Sequence, residues 1–299
     1  MPMRQHIRQE SRFEKCMNYR ECYEKGKGTL AEAGIEEADL DARLLLEHVC
    51  GTNRNDLLVH GDREVLSEQE NTYLFMIKKR AQRFPLQHLT GVHDFMGLEF
   101  EVNEHVLIPR QDTEILVEEA LRELRDGMNI LDMCTGSGCI LISLLRYSND
   151  CTGLGVDISV EALRTAEENA QKLLTPDKQV CFMESNLFEK VNGMYDMIVS
   201  NPPYIPSGAI GSLMPEVREH EPLDALDGRE DGLYFYLNIT GECRKYLKPG
   251  GMLFYEIGCD QGAAVSEILS REGFMEVRVI KDYAGLDRVV SGVLRHTPA

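Results

Sequence analysis

The chain has 299 residues, of which 43% are hydrophobic and 27% charged, so we expect two domains rather than disorder. It contains no run of 18 apolar residues, and residues 1 to 18 lack the apolar centre of a secretory signal, so we expect a cytoplasmic protein without a membrane span. The nine cysteines form no C-x-x-C pair and the eight histidines have no metal-ligand spacing. This pattern favours free thiols and no metal site.

The net charge of -18 is unevenly distributed along the chain. Residues 1 to 90 carry 14 Lys and Arg against 15 Asp and Glu, whereas residues 91 to 299 carry 18 against 35. Nucleic-acid binding ordinarily depends on many Lys and Arg contacts to phosphates. The acidic C-terminal portion therefore argues against nucleic acid as a direct partner.

Residues 19 to 90 are predicted to be helical, without a catalytic constellation. One helix covers residues 39 to 50 and ends at Gly51, and Ser67-Glu-Gln-Glu70 is a candidate capping box for another. The apolar positions at helical spacing are interpreted as the core of a bundle; they include Leu44, Leu45, Val49, Leu74 and Ile77.

Between Gly91 and Pro109 apolar and polar residues alternate, as in residues 98 to 102 and 106 to 108. This period predicts a β-hairpin that links the two domains. A helix is expected next, from about residue 112 to residue 125.

Beyond that helix, strand-like and helical segments alternate. The predicted strands cover residues 129 to 134, 152 to 158, 179 to 184, 195 to 200, 251 to 257, 274 to 281 and 288 to 294, and the predicted helices residues 139 to 146, 160 to 173, 232 to 246 and 261 to 271. Such alternation is typical of an α/β fold with a parallel sheet covered on both faces. The last two strands leave no room for a helix between them, so we expect an antiparallel edge.

The first strand of this sheet runs into a loop of small residues followed by a helix. The loop contains Cys134, Thr135, Gly136, Ser137 and Gly138. Small residues let a backbone approach a ligand closely, and a helix N-terminus offers unpaired N–H groups to a carboxylate. The segment is not the G-x-G-x-x-G of dinucleotide binders, so a pyrophosphate-binding turn is not expected.

The second strand ends at Asp157, 25 residues after Asp132. A carboxylate at that position can accept hydrogen bonds from both hydroxyls of a ribose. The alternative is that Asp157 is the N-cap of the helix that begins near Val160. We favour the ribose role because of the loop that precedes it.

The fourth strand delivers Asn201-Pro-Pro-Tyr204 to the same edge of the sheet. The prolines Pro202 and Pro203 fix the backbone, and the Asn201 side-chain oxygen and Pro202 carbonyl can both accept hydrogen bonds from a planar NH2 group. Tyr204 can stack on that group. The segment therefore favours an amide or an exocyclic amine held with its nitrogen aimed at a sulfonium methyl group.

These residues resemble the bacterial release-factor glutamine methyltransferases from about Met17 to the end of the chain. The resemblance includes the segments at residues 107 to 114, 200 to 204 and 256 to 258, the loop after Asp132, Asp157, Glu221-Pro222 and Asp227-Gly228. Asn-Pro-Pro-Tyr alone is shared with adenine-N6 and cytosine-N4 methyltransferases. Its combination with an upstream helical domain is more specific.

The resemblance implies a Rossmann-like class I methyltransferase fold with a seven-stranded sheet, dependent on S-adenosylmethionine and releasing S-adenosylhomocysteine. It implies four parts of the chain: an extension (1–16), a helical substrate-recognition domain (17–90), a hairpin linker (91–109) and a methyltransferase domain (110–299). The acceptor would be the glutamine of the Gly-Gly-Gln motif in class I peptide-chain release factors.

The implied cofactor residues are 134 to 138, Asp157, Asn201, and Asn186 with its neighbour Leu187. Two of these positions depart from the family pattern. Cys134 stands where the loop usually has its first glycine, which costs little if its φ is negative. Asn186 stands where an acid is usual, and its side-chain oxygen can still accept a hydrogen bond from the adenine amine. A third departure is Gln111, where the family commonly has proline.

Two other functions remain open at this point. A nucleic-acid amino-methyltransferase is compatible with Asn-Pro-Pro-Tyr, and salt-dependent DNA or RNA binding would favour it. A cofactor-binding scaffold associated with translation is compatible with the same residues, and a methyl-transfer assay would separate it from an enzyme.

Overall fold

A computed structural model of the protein describes residues 16 to 295. The chain divides into two compact units between Thr90 and Gly91. The first unit is helical over the residues described: α1 (Tyr19–Glu32), α2 (Ala38–Cys50), α3 (Arg54–Val59), α4 (Ser67–Ala81) and α5 (Leu86–Thr90). Apart from Cys16, the extension expected at residues 1 to 16 lies outside the described residues.

The core of the first unit forms largely from the predicted apolar positions. Leu45 and Ile77 are buried, and Val49 and Leu74 pack against them partly exposed. The helix α2 ends as expected at Gly51, which has a φ of 60°. A left-handed residue at this point satisfies the last carbonyls of the helix, and glycine adopts it without a Cβ clash.

The capping box predicted at Ser67 and Glu70 is wrong. The N-cap of α4 is Leu66, so Ser67 already lies inside the helix and has no capping hydrogen bond. The Ser67 hydroxyl instead lies 3.0 Å from Cys16 Sγ, and the Glu70 carboxylate accepts from the Met17 N–H at 2.8 Å. Both side chains therefore hold the segment before α1, a tertiary role that their spacing does not reveal.

The second unit begins with a hairpin of β1 (Val92–Phe95) and β2 (Leu98–Glu101). Met96 and Gly97 both have positive φ, as a two-residue turn between twisted strands requires. The hairpin is confirmed, but the extended run at residues 106 to 108 pairs with no strand and belongs to the connection that follows. Phe95 and Phe100 bury the hairpin against the core of this second unit.

A seven-stranded sheet forms the centre of the second unit. Its strands are β3 (Asn129–Met133), β4 (Thr152–Asp157), β5 (Gln179–Glu184), β6 (Tyr195–Ser200), β7 (Leu247–Glu256), β8 (Phe274–Lys281) and β9 (Asp287–Leu294), and its helices are α6 (Gln111–Glu123), α7 (Cys139–Arg146), α8 (Val160–Leu173), α9 (Pro215–His220), α10 (Tyr234–Cys243) and α11 (Gly262–Arg271). The strand order is β5-β4-β3-β6-β7-β9-β8, and β9 alone runs in the opposite direction to the other six strands. The predicted mostly parallel sheet with an antiparallel edge is confirmed.

Helices cover both faces of this sheet. Leu116 of α6 and Leu141 of α7 pack on one face, whereas Ile239 of α10 and Leu269 of α11 pack on the other. The strand order reverses at β3, which lies between β4 and β6. In open α/β sheets the ligand crevice lies beyond the carboxyl ends of the strands at such a switch point, so we expect it here. No helix in the described part of the chain is long and apolar enough to span a bilayer.

Candidate active site

The loop after β3 exposes its backbone at the switch point. Gly136 has a φ of +54°, and a Cβ added there would meet no atom of the described residues within 4 Å. The space beside it can therefore take a ligand close to the main chain. The Thr135 N–H is held by the Val156 carbonyl at 3.0 Å, which joins the loop to the adjacent strand.

Gly138 is the N-cap of α7 and must remain a glycine. Its φ is +78°, and a Cβ there would lie 2.8 Å from Ile142 Cδ1 and 3.1 Å from Ala166 Cβ. The absence of a side chain therefore lets α7 begin directly against α8, with its first N–H groups at the crevice.

Cys134 has a φ of +62°, so the negative φ that would make this departure cheap is not found. The left-handed conformation costs a residue with a Cβ roughly 1 to 2 kcal/mol relative to glycine. Burial raises the pKa of the thiol well above its usual value, and the neighbouring carboxylates of Asp157 and Asp132 act in the same direction. The cysteine is thus a packed, protonated residue in a position that suits glycine.

Asp157 lies at the end of β4 with both carboxylate oxygens engaged by the main chain. The Gly136 N–H donates to Oδ2 at 2.9 Å, and the Ser159 N–H donates to Oδ1 at 3.0 Å. Each oxygen keeps a further lone pair for a ligand hydroxyl. The N-cap of α8 is Ser159, whose hydroxyl accepts from the Ala162 N–H, so Asp157 is not the helix cap.

Asp132 is fully buried beneath the same loop. Its Oδ2 accepts from the Thr135 hydroxyl at 2.6 Å, and its Oδ1 has no hydrogen-bond partner among the described residues. Burial raises the pKa of this carboxyl to about 7. The hydrogen bond from the Thr135 hydroxyl has the opposite, smaller effect on the pKa. Asp132 therefore stiffens the loop, and its buried carboxyl holds a proton more strongly than an exposed aspartate does.

Asn186 follows β5 and is exposed beside the Asp157 strand end. The Ser185 N–H donates to the Asp157 carbonyl at 2.9 Å, which brings the two strand ends together. Asn186 Nδ2 donates to Glu189 at 2.9 Å, and this contact leaves the amide oxygen available as an acceptor. Leu187, with a φ of 49°, is half-buried at the same turn.

The Asn-Pro-Pro-Tyr segment follows β6, next to the loop after β3. The Ser200 hydroxyl donates to the Met133 carbonyl at 2.6 Å, so the two neighbouring strand ends are fixed to each other. Pro202 and Pro203 are buried, whereas Asn201 is half-exposed. Asn201 Nδ2 donates to the Thr113 hydroxyl of α6 at 3.4 Å, and Oδ1 has no donor among residues 16 to 295.

Tyr204 is held through both its main chain and its phenol. Gln261 Nε2 donates to the Tyr204 carbonyl at 3.1 Å, and the Tyr204 phenol donates to Glu256 Oε1 at 3.4 Å. Gly228 packs so tightly that an added Cβ would lie 2.7 Å from the Tyr204 carbonyl carbon. The loop that contains Gly228 therefore closes over Tyr204 and fixes its position.

Glu256 ends β7 and is buried. Burial raises the pKa of its carboxyl to about 7. The nearby Thr113 hydroxyl and the positive charge of Arg288 have the opposite, smaller effect on the pKa. Its Oε2 has no hydrogen-bond partner within residues 16 to 295. A buried, partly unpaired carboxyl at the edge of a crevice is a common feature of functional sites.

An ion pair between Arg110 and Glu221 anchors the segment that follows the hairpin. The guanidinium of Arg110 donates to both oxygens of the buried Glu221, at 2.6 and 2.8 Å. Both hydrogen bonds are charge-assisted, and both come from the same guanidinium nitrogen, Nη2. The residues before α6 are thereby tied to the loop that follows Asn-Pro-Pro-Tyr.

The structure brings the expected residues to one edge, at the ends of β3, β4, β5 and β6. Three residues that position them were not assigned a role from the sequence: Thr113, Glu256 and Gln261. Thr113 and Glu256 lie in segments that resemble the family, and that resemblance was the signal that could have identified them. A cavity of about 370 Å³ is bounded by the amino ends of β3 and β4 and lies away from this edge.

The strand order, the glycine loop and the acid that ends the next strand define a methyltransferase of the Rossmann-like class. Residues 111–214 match the methyltransferase small domain, and residues 21–91 match the PrmC N-terminal domain. A solved methyltransferase from Pyrococcus furiosus has the same fold, with a TM-score of 0.51, 17% identity, and coverage of 77% of this chain and all of that one.

Two relatives define the family more closely. The release factor glutamine methyltransferase of Geobacter sulfurreducens is 42% identical over 89% of this chain and 93% of its own length. The protein of that name from Clostridium acetobutylicum is 40% identical over 93% of this chain and 99% of its own. The chain belongs to the release factor glutamine methyltransferase family.

Proposed function

We propose that the protein transfers a methyl group from S-adenosylmethionine to the side-chain amide nitrogen of the glutamine in the Gly-Gly-Gln motif of class I peptide-chain release factors. The observation that carries this proposal is that Asn201 Oδ1, at the end of β6 beside the loop after β3, accepts no hydrogen bond from the described residues. The family membership of the chain supports the same reaction. Release factors act in translation termination, so the proposed place of action is the cytoplasm.

The residues at the crevice fit the cofactor. Asp157 offers a lone pair on each oxygen to the ribose hydroxyls, and the open backbone at Gly136 leaves room for the methionine portion beside α7. The amide oxygen of Asn186 can accept from the adenine amine, and Leu187 follows it at the same turn. S-adenosylmethionine bound there supplies an electrophilic methyl group on sulfur.

The acceptor amide is proposed to bind at Asn201 and Pro202. The Asn201 Oδ1 and the Pro202 carbonyl accept the two N–H groups, and the Tyr204 ring packs on the planar amide. Because an amide nitrogen is a poor nucleophile, the gain comes from orienting its lone pair toward the methyl carbon. The N–C bond forms as the C–S bond breaks, and the nitrogen then loses a proton, which gives N5-methylglutamine and S-adenosylhomocysteine.

The first unit is proposed to bind the release factor. It is nearly neutral, in contrast to the acidic remainder of the chain, and it exposes large apolar side chains on its surface; these are Leu58, Val59, Leu66 and Phe75. Isolated exposed apolar residues are ordinary, but four in so small a unit favour contact with a protein partner.

A transfer assay with labelled S-adenosylmethionine tests this function. The substrates are an intact class I release factor, the same factor with asparagine in place of the motif glutamine, and DNA and RNA. We expect label only in the intact factor. Label in nucleic acid would instead support the amino-methyltransferase alternative, and binding without transfer to any substrate would support a scaffold.

A further inference from the structure

Gln261 lies at the N-cap position of α11 but does not cap this helix. It is 8% exposed, and its side chain makes no capping hydrogen bond to the first turn of α11. N-cap positions ordinarily carry Ser, Thr, Asp or Asn, whose short side chains reach the N–H groups of that turn. The longer Gln261 side chain instead reaches the main chain of Tyr204 and Gly232. Its hydrogen bonds therefore serve the segment beside the site rather than the helix.

Main-chain groups on both sides fix the orientation of the Gln261 amide. Nε2 donates to the Tyr204 carbonyl at 3.1 Å and to the Gly232 carbonyl at 3.3 Å. Oε1 accepts from the Gly258 N–H at 2.9 Å, and the Gly258 carbonyl accepts from the Gln261 N–H at 2.9 Å. Because carbonyls only accept and N–H groups only donate, the reversed amide would lose these side-chain hydrogen bonds.

The close approach of Gly232 makes this contact possible. Gly232 has a φ of +76°, and a Cβ there would lie 2.3 Å from the Tyr204 carbonyl oxygen and 2.7 Å from Gln261 Nε2. Any larger residue at this position would therefore push the loop away from Tyr204. The Tyr204 carbonyl, the main chain of Gly232 and the Gln261 amide pack directly against one another.

The hydrogen bond to Tyr204 supports a segment that has few donors of its own. Pro202 and Pro203 have no N–H group, so neither can be held by a main-chain donor. The Ser200 hydroxyl fixes the start of the segment, and Gln261 holds its end at the Tyr204 carbonyl. The Pro202 carbonyl, one of the two proposed acceptors for the substrate NH2, lies between these two fixed points.

We propose that Gln261 is a positioning residue for methyl transfer, which holds the Tyr204 carbonyl so that Asn201 and Pro202 present their oxygens to the acceptor amide. This inference rests on the proposed function. Gln261 acts through the main chain and touches neither the cofactor nor the acceptor. A displaced pair of oxygens would turn the nitrogen lone pair away from the methyl carbon, and the transfer depends on that alignment. Loss of the hydrogen bond therefore lowers kcat rather than cofactor affinity.

Two substitutions at Gln261 separate the hydrogen bond from the size of the side chain. Gln261→Met has a similar length but no NH2 group. Gln261→Glu places a carboxyl oxygen where Nε2 lies, against two carbonyl oxygens that can only accept. The ionised carboxylate is repelled there, whereas the protonated carboxyl can donate to the Tyr204 carbonyl. Burial and the facing carbonyls both favour the protonated form, so this variant titrates at a raised pH.

The kcat of Gln261→Glu relative to the wild type should therefore rise as the pH falls from about 9 to about 6. At the upper end both variants should lose about tenfold or more in kcat for the release factor, as for one oriented hydrogen bond. The loss in Gln261→Met should be the same at every pH. Gln171→Glu, at an exposed position of α8, adds the same charge and should follow the wild type.

The other titratable and charged groups around Gln261 are common to the wild type and both variants, so the comparison at each pH removes their contribution. Burial raises the pKa of the Tyr236 phenol, which lies 3.4 Å from Oε1, and of the Glu256 carboxyl. The remaining groups belong to the loop after Asn-Pro-Pro-Tyr, the start of α11 and β9; they are Tyr204, Asp231, Asp260, Asp287 and Arg288.

Calorimetry of S-adenosylmethionine binding at each pH separates positioning from a general loss of structure. The affinity should change little in either variant while kcat falls. A ratio of kcat for Gln261→Glu that ignores pH, or a wild-type kcat in Gln261→Met, would overturn the proposal. A cofactor affinity that falls together with kcat would overturn it as well, because the role would then be structural only.

Amide hydrogen exchange tests the same contact without activity. Directly after Tyr204, the Ile205 N–H donates to the Leu226 carbonyl at 3.1 Å, and the Gly228 N–H donates to the Ile205 carbonyl at 2.8 Å. Peptides that contain Ile205 or Gly228 should exchange faster in Gln261→Met than in the wild type at the same pH, and peptides from α8 should not. Equal exchange in the two proteins would contradict the inference even if kcat falls.

The two proposals fail in different ways. If hydrogen exchange responds as expected but the wild-type protein methylates no release factor, the proposed function is wrong and the contact at Tyr204 stands. If the wild type methylates the motif glutamine but exchange and kcat are the same in Gln261→Met, the positioning role is wrong and the function stands.

Discussion

The Gly136 N–H donates a hydrogen bond to the Asp157 carboxylate at 2.9 Å, which joins the loop after β3 to the end of β4. One side chain therefore serves two purposes in this account. It shapes the loop that approaches the cofactor, and it offers its remaining lone pairs to the ribose.

Asp157→Ala should weaken S-adenosylmethionine binding at least tenfold. Two charge-assisted hydrogen bonds are lost, each worth about 1.5 to 3 kcal/mol, and the Gly136 N–H loses its acceptor. Isothermal titration calorimetry measures the change, with Glu161→Gln on the exposed face of α8 as a control that should bind normally. An unchanged affinity in Asp157→Ala would remove this residue from the site.

Asn201→Ala should leave the fold and most of the cofactor affinity intact while turnover falls by about two to three powers of ten, as for one oriented polar group at a reacting centre. Asn201→Asp keeps an acceptor oxygen but loses the Nδ2 donor to Thr113. Partial activity in Asn201→Asp would favour the acceptor role. A wild-type rate in Asn201→Ala under saturating substrates would show that the proposed mechanism is wrong.

Cys134→Gly should be more stable than Cys134→Ala by about 1 kcal/mol, because the positive φ at this position penalises a Cβ. In a helix alanine is the more stable of the two residues. Ala31→Gly, on the exposed face of α1, should therefore lower the free energy of unfolding by about 1 kcal/mol. Urea unfolding of the four proteins measures both differences. If alanine is the more stable residue at position 134, the backbone there is not left-handed in solution.

Asp132→Asn should gain stability relative to the wild type as the pH rises. Burial raises the pKa of Asp132 from its ordinary 3.8 to about 7, so the folded protein holds a proton that the unfolded chain releases. The stability that Asp132 contributes is therefore complete below pH 3.8 and is lost as the pH rises to 7. The loss is on the order of 4 kcal/mol, since one pKa unit corresponds to about 1.4 kcal/mol.

Urea unfolding between pH 5 and 8 measures the difference between Asp132→Asn and the wild type. Glu161→Gln, at an exposed position, should follow the wild-type curve. A difference between Asp132→Asn and the wild type that stays constant over this range would show that Asp132 is ionised in the folded protein throughout.

Deletion of the first unit should leave cofactor binding intact but impair methylation of the intact release factor. A chain of residues 91 to 299 should bind S-adenosylmethionine with wild-type affinity, because Asp157, Gly136 and Asn201 all lie in the second unit. Its methylation of an intact release factor should fall strongly. Full activity on that substrate would make the first unit dispensable, and lost cofactor binding would show that the second unit does not fold alone.

The sheet could be predicted from the sequence because each strand is a short apolar run bounded by small or polar residues. Two of these parallel strands end at Asp157 and Ser200. The residues that follow them must therefore lie at the same edge of the sheet. Local signals were weaker elsewhere. The start of β7 at Leu247 rather than residue 251 was missed because Pro249 and two glycines resemble a loop.

Contacts between distant segments could not be predicted. Thr113 and Asn201 are 88 residues apart, and nothing in either segment reveals that α6 lies against the end of β6. The sign of φ at Cys134 was equally hidden, because a cysteine gives no local preference for the left-handed conformation. Only the packing of the loop between β3 and α7 decides it.

The site of methylation tests the central claim most directly. A purified class I release factor is incubated with this protein and isotopically labelled S-adenosylmethionine, digested, and sequenced by tandem mass spectrometry. We expect one labelled methyl group on the side-chain nitrogen of the Gly-Gly-Gln glutamine, and none with the Asn201→Ala protein. A methyl group on any other residue, or an unlabelled release factor beside active, cofactor-bound protein, would contradict the account.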